Sequence, residues 1–470
     1  MDQDVSACLG ADLLSQLAAI VGPDGILSGD ALAPVDPGYD PANLAAGLML
    51  SPRSAEEVSR ILALCQAMAI PVVPQGGRTG LVAGGVTSPG EIILSTRRLD
   101  RIVEIDPVGR TALVEAGVTL EALQEAAARH GLSPGIDLAA RGSATIGGMI
   151  ATNAGGIEAF RHGTMRDRLL GIEFVLADGT VVSDLGRVLK NNTGYDLKDL
   201  VAGSEGTLGV VTRAVLRLDR ATRPAATALL ALPSIDDALA VANRLRDRFA
   251  GRLRALEVMW RDYAAAVAGQ HGQALADFGI AEQPLYLLVE LDRDEDLDIA
   301  EKLALELETL ADRGVVADAV IAQNERQRRM LWLIREDSEA IERAWPGAQS
   351  FDVSVPLPAL GSYADRIARE LPALSRGLRV FIFGHLADGN LHVMVGSPEG
   401  DPGDHADGIE AILYDGLDAI GGAFSAEHGI GREKLAALVR YGNPAKRAAM
   451  RAIKSALDPR GILNPGKMIV

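Results

Sequence analysis

Apolar positions in the first half of the chain recur alternately at helical and at strand spacing. Ser54-Ala-Glu-Glu57 has the form of a capping box, and Val58, Ile61, Leu62 and Cys65 follow it on one helical face. That helix should stop before Pro71, with Val72 and Val73 opening an extended segment. Thr119 caps a second predicted helix, Leu120 to His130, which Gly131 ends. Short β runs are expected at 171–177 and 209–212. Beyond Ala221-Thr-Arg-Pro-Ala the elements lengthen. Strands are expected at 225–232, 285–291, 315–322 and 351–355, and helices at 234–249, 297–310 and 325–344. Single strands joined through helices predict an α+β fold, with an antiparallel sheet covered on one side. The domain reading is 1–221, 222–420, and a Gly-rich segment 421–470 that packs back on the first domain.

Two further apolar runs flank Ala387-Asp-Gly-Asn390, which is turn chemistry for a tight hairpin. With Leu386 and Leu391 closing that turn, His385 and His392 become a cross-strand pair on one face. Opposed Cβ atoms lie about 5 Å apart, close enough for two imidazoles to share a metal ion. Two half-buried histidines on an ordinary hairpin would satisfy the same pattern. The segment Ala423–Gly431, read as another short strand entering a Gly-rich turn, adds Glu427 and His428. Two neutral imidazoles and a carboxylate make an open site for Zn²⁺, Mn²⁺ or Fe²⁺, with room for a substrate oxygen.

Composition narrows the partners. A chain of 470 residues is too long for one core. With 63 acidic against 46 basic residues, a net charge of −17, it lacks the basic face that nucleic acid requires. Cys8 and Cys65 make no disulfide framework. The acidic start Met1-Asp-Gln-Asp4 is the reverse of an export signal, and no apolar run of about 18 residues could span a bilayer. The expected location is cytoplasmic, and the protein is not expected to be integral to a membrane.

The glycines bear on the cofactor. Gly429-Ile-Gly431 continues into Arg-Glu-Lys, so the dinucleotide pattern G-x-G-x-x-G is absent there. Gly461–Lys467 approaches a P-loop, but Met468 stands where a Mg²⁺-binding hydroxyl belongs. Pro74–Gly80 can curl consecutive N–H groups toward a phosphate, or can be a plain turn. Gln75–Gly80, Gly142–Gly148, Ala151–Gly156, Asn192–Leu197 and Gly203–Gly209 occur in this order. Together they resemble the FAD-binding domain of the vanillyl-alcohol oxidase/p-cresol methylhydroxylase flavoproteins. His385-x₆-His392, Glu427–Gly431 and Leu463–Lys467 are similar to motifs of FAD-linked D-2-hydroxyacid dehydrogenases acting on D-lactate, D-2-hydroxyglutarate or glycolate.

The resemblance implies two α+β subdomains holding FAD and a cap domain with an antiparallel sheet. It places Gln75, Gly76, Gly77, Arg78, Thr79, Gly80 and Leu81 at the pyrophosphate. It places Gly142, Ser143, Thr145, Ile146, Gly147, Gly148, Asn153, Ala154, Gly155, Gly156, Glu205, Gly206, Gly209 and Val210 against ribose, adenine and flavin, with Asn464 as a further cofactor contact. Many superfamily members attach FAD through a His in the pyrophosphate loop; Arg78 stands there, which implies non-covalent FAD.

It further implies that His385, His392 and Glu427 hold one divalent metal, Zn²⁺ ahead of Mn²⁺ or Fe²⁺. His428 becomes the general base, or else a supporting contact, and Arg335 grips the substrate carboxylate, or else is an ordinary exposed helix residue. The implied partners are a D-2-hydroxy acid and an electron acceptor (electron-transfer flavoprotein, quinone or cytochrome), with a homodimer as the assembly. A D-2-hydroxyglutarate dehydrogenase, or an O₂-using FAD oxidase on the same fold, is the alternative activity. Three departures from hydroxyglutarate-type members bear on substrate. Ser350 replaces a Lys, Met394 an Asn, and Glu339 a small hydroxyl residue. They point to D-lactate or a D-2-hydroxy acid with an apolar side chain.

Overall fold

Ser54 has extended backbone and its hydroxyl accepts the Glu57 N–H, so a helix begins at Ala55 and runs to Met68. Glu57 departs from a full capping box: its carboxylate accepts from the Arg53 N–H rather than from that of Ser54. Val58, Ile61, Leu62 and Cys65 are all buried, and burial pushes the Cys65 thiol up to about 12. Ala69 turns left-handed, and the chain enters the strand Val72–Gln75. This computed structural model describes residues 10–293, 298–398 and 400–469, so Cys8 lies outside the described residues. The described chain forms two compact units, one running to Ala221 and resuming at Glu427, the other spanning Thr222–Ala426.

In the first unit, Leu48–Leu50, Ile92–Ser95 and Val72–Gln75 run parallel in one sheet, with Ile26–Ser28 antiparallel at its edge. Burial is nearly complete along the inner strands, as expected of parallel strands covered on both faces. A second sheet is antiparallel throughout, in the order Ile102–Asp106, Thr111–Glu115, Val210–Arg217, Leu169–Val175, Val181–Asp184. One hydrophobic cluster joins residues from both sheets and ends on Ile462 and Leu463. Ile462 and Leu463 thereby anchor the Gly461–Lys467 segment to the core of the first unit. Val72 donates to the Ile462 carbonyl, and Asn464 donates back to the Val72 carbonyl.

The second unit is built on seven antiparallel strands: β1 (Pro224–Leu232), β2 (Leu253–Trp260), β3 (Leu285–Asp292), β4 (Asp318–Ile321), β5 (Gln349–Ser354), β6 (Arg379–His385) and β7 (Asn390–Gly396). Their order is β4-β1-β3-β2-β6-β7-β5. All eight residues of β3 are buried. Successive side chains leave a strand on opposite faces, so both faces are covered and the expected one-sided sheet is corrected. Strand β2 was not predicted. The helix expected over 325–344 breaks in two, α1 (Glu325–Glu336) and α2 (Glu339–Ala344). The break falls where the Asp337 carboxylate meets His271 Nε2, at 2.7 Å, and Arg343. The strand expected at Ala423–Gly431 is a single bridge, Ala423 to Ser354, followed by bends.

Candidate active site

The β6–β7 hairpin has a different register from the predicted one. His385 pairs with Asn390, and His392 lies opposite Phe383. Gly389 takes a φ of 77°, the Asp388 carboxylate accepts the Asn390 N–H, and Gly389 donates to the His385 carbonyl. The Asn390 amide reaches across to Asp352 Oδ1 at 2.8 Å and to the Val353 carbonyl at 3.1 Å, which draws Asn390 out of the turn and into the ladder. The slip is two residues along β6, so both histidines keep the same face. They are diagonal neighbours with ring centroids 5.5 Å apart, near perpendicular.

Each histidine sits beside a buried carboxylate from a neighbouring strand. Glu257 on β2 lies opposite His385 in the ladder, and its Oε1 is 2.8 Å from His385 Nδ1. Its other oxygen accepts from Arg335 Nε, on the last turn of α1, at 2.7 Å. Burial opposes ionisation of Glu257, but the adjacent His385 and Arg335 outweigh it and hold the carboxyl below the ordinary range. Arg335 is buried, its guanidinium carbon 5.0 Å above the Phe383 ring, and Tyr263 stacks on that ring at 4.0 Å. The alternative of an ordinary exposed helix arginine is thereby removed. Asp352 on β5 lies opposite His392, 3.8 Å from its Nδ1, and accepts the Ala426 N–H at 2.9 Å. Met394, the next residue on the histidine face, is buried opposite Phe381. Ser350 lies opposite Met394 in the ladder, on the face that carries Asp352 and His392, and is exposed. Glu339 is 85% exposed near Arg343.

Glu427 and His428 follow Ala426 directly in the chain and belong to the first unit. There the Glu427 carboxylate accepts the Gly156 N–H at 3.0 Å. Glu205, with φ 52°, accepts the N–H groups of Ile430 and Gly431, each at 2.7 Å. Both oxygens of Glu205 thus hold the turn that carries Glu427 and His428, a role not foreseen for it. Burial raises the Glu205 carboxyl above its ordinary value despite those two donors.

The glycine motifs of the first unit interlock. A Cβ on Gly76 would lie 2.1 Å from Thr145 Oγ1, and one on Gly77 would lie 2.1 Å from the Ser143 carbonyl. Only glycine allows this approach, which brings the 75–81 loop and the 142–148 segment together. Side chains of the loop turn inward: Gln75 donates to the carbonyls of Asn43 and Gly85, and Arg78 to that of Asp36. Gly80 and Leu81 remain exposed. Thr145 caps the helix Ile146–Thr152, which carries Gly147 and Gly148, and Asn153 ends it in left-handed conformation, followed by Ala154 and Gly155. Gly206, with a φ of 73°, sits within the turn closed by the Thr207 N–H on the Ser204 carbonyl, and Gly209 leads into Val210. The Ser204 hydroxyl and Asn464 Oδ1 are buried without a protein partner, as contacts to a bound cofactor would leave them.

Residues 46–184 match the FAD binding domain family, and residues 222–468 match the family of FAD linked oxidases, C-terminal domain. The chain belongs to the FAD-linked oxidases. This FAD-linked oxidase is 39% identical over 424 residues to a D-2-hydroxyglutarate dehydrogenase of Xanthomonas citri pv. viticola, covering 89% of this chain and 88% of the relative. It is 37% identical to the mitochondrial D-2-hydroxyglutarate dehydrogenase of Bos taurus, covering 90% and 76%. It is 33% identical to a putative mitochondrial D-lactate dehydrogenase of Schizosaccharomyces pombe, covering 96% and 89%. The p-cresol methylhydroxylase structure shares its fold, with a TM-score of 0.72 at 19% identity over 97% of this chain and 96% of that one. No helix among the described residues is long and apolar enough to cross a membrane.

Glu257 and Asp352 were not singled out as functional from the sequence. Their signal is present: each is a lone carboxylate inside an apolar strand run, Leu-Glu-Val and Phe-Asp-Val. A buried charge needs partners, and both have them.

Proposed function

We propose that this FAD-linked oxidase oxidises D-2-hydroxy acids to 2-oxo acids, assisted by one divalent metal held by His385, His392 and Glu427. The observation that carries the reading is the buried His385–Glu257–Arg335 cluster beside His392 on one sheet face, in a chain with an FAD binding domain. Bound FAD supplies the hydride acceptor, and a bound Zn²⁺, Mn²⁺ or Fe²⁺ supplies a Lewis acid for the hydroxyl oxygen. Arg335 binds the substrate carboxylate and thereby fixes Cα. His428 takes the hydroxyl proton, since imidazole titrates near neutral pH. Phe383 and Tyr263 form an apolar floor under Arg335 that strengthens its grip by excluding water. Arg78 is turned inward and is no imidazole nucleophile, which supports non-covalent FAD.

Met394 supports an apolar substrate side chain, as in D-lactate. A distal carboxylate beside it would lack a charge-assisted hydrogen bond worth on the order of 1.5–3 kcal/mol. The second reading is D-2-hydroxyglutarate, favoured by the names of the Xanthomonas and Bos taurus relatives. Anaerobic mixing with D- and L-2-hydroxy acids, followed at the flavin absorbance, tests the proposal. D-acids should bleach the flavin and L-acids should not; no bleaching by any D-2-hydroxy acid would sink it.

A further inference from the structure

We propose that Glu257 is a positioning residue that locks the metal-binding arm and the carboxylate-binding arm of the site into one register. The proposal rests on the function given above. Glu257 lies mid-strand in β2 and is buried, and its two oxygens meet partners from two different elements. One faces His385 Nδ1 at 2.8 Å and the other Arg335 Nε at 2.7 Å, with all three side chains buried. An ionised carboxylate only accepts hydrogen bonds, so Nδ1 carries the ring proton and the Nε2 lone pair is left for a metal. With Nε engaged, the terminal nitrogens of Arg335 form the edge that can meet a carboxylate in a fixed plane. The Phe383 ring beneath the guanidinium restricts that plane further, and the Tyr263 hydroxyl donates to the Arg335 carbonyl at 3.0 Å.

The spacing between the arms is thus set by a sheet ladder, because Glu257 and His385 are paired residues of β2 and β6. Glu290, on the adjacent strand β3, supplies the contrast. It is equally buried and accepts from Thr227, Arg328 and Trp332, but from no histidine among the described residues. Glu290 neutralises and ties together its neighbours, whereas Glu257 joins two groups with separate tasks.

The test compares Glu257→Gln with Glu290→Gln in the full-length holoenzyme. The zinc dissociation constant is read by competition with a chromophoric chelator, alongside KM for D-lactate, FAD content and Tm. A glutamine has one amide oxygen and cannot accept from both donors. Glu257→Gln should therefore weaken zinc binding roughly 10- to 100-fold, raise KM about tenfold and retain FAD. Glu257→Asp, which keeps both acceptors, should recover part of each loss. Glu290→Gln should lower Tm while leaving zinc affinity and KM unchanged. A folded Glu257→Gln protein with wild-type zinc affinity and KM, and only a lower Tm, would overturn the proposal. Should that variant fail to fold, Arg335→Gln replaces it: releasing one Glu257 oxygen should shift zinc affinity severalfold, and no shift would overturn the proposal equally. A wild-type protein that binds no zinc, Mn²⁺ or Fe²⁺ would instead defeat the metal reading itself, before any variant is made.

Discussion

If the proposed function holds, single side chains set the selectivity of this site, and Met394 is the first to test. It follows His392 on the same strand face, opposite Phe381, so its thioether takes the place where a polar group could meet a second carboxylate. Met394→Asn should raise kcat/KM for D-2-hydroxyglutarate relative to D-lactate by roughly tenfold, the effect of restoring about one polar partner. A ratio that does not move would show that other residues read the substrate's far end. Glu339 makes the opposite prediction. Because it is solvent-exposed near Arg343, Glu339→Gln should change kcat/KM for either acid less than about twofold, as surface substitutions do. A larger effect, measured on the two acids side by side, would place it at the site after all.

At the scale of elements, local chemistry was readable where it is self-contained. Ser54, Val58, Ile61, Leu62 and Cys65 specify their helix with no help from the rest of the chain. Ser54→Ala should cost about 1 kcal/mol of stability through the lost N-cap, measured as a shift in the denaturant midpoint at constant m-value. Cys65 is buried with its thiol raised to about 12, so at pH 8 roughly one part in ten thousand is thiolate. Iodoacetamide should leave it unmodified in the native protein and alkylate it in 6 M guanidinium, about the concentration that unfolds most domains, as read by peptide mass spectrometry. The hairpin was legible only in part. Its turn residues and its histidines are local, but its register depends on Asn390 bonding to Asp352 and Val353, which stand far back in the chain. Likewise Glu257 was invisible as a partner of His385 and Arg335, because β2 meets β6 and α1 only through long-range folding. The glycine motifs lie between these cases: their order in the chain was informative, and the interlock of Gly76 and Gly77 with Thr145 and Ser143 supplies its physical reason.

Across the whole molecule, the proposed binding tasks are divided between the units except at Glu427 and His428, which lie in the first. Every glycine motif of the cofactor lies in the first unit, whereas His385, His392, Glu257 and Arg335 lie in the second. Removing a proposed metal ligand of the second unit should therefore leave flavin binding intact. His392→Ala should keep a stoichiometric, yellow FAD complex yet lose the divalent ion, from about one per chain to none by elemental analysis, and D-lactate should no longer bleach its flavin. In the same preparation, acid precipitation should send all flavin into the supernatant, because Arg78 supplies no imidazole to bond it. Colour left on the pellet would mean a covalent link through some other residue. The decisive comparison is chelation of the wild-type protein. If metal-free enzyme, still holding FAD, turned over D-2-hydroxy acids at full rate, His385 and His392 would have to act on the substrate directly, and Glu427 would lose its proposed role as a metal ligand.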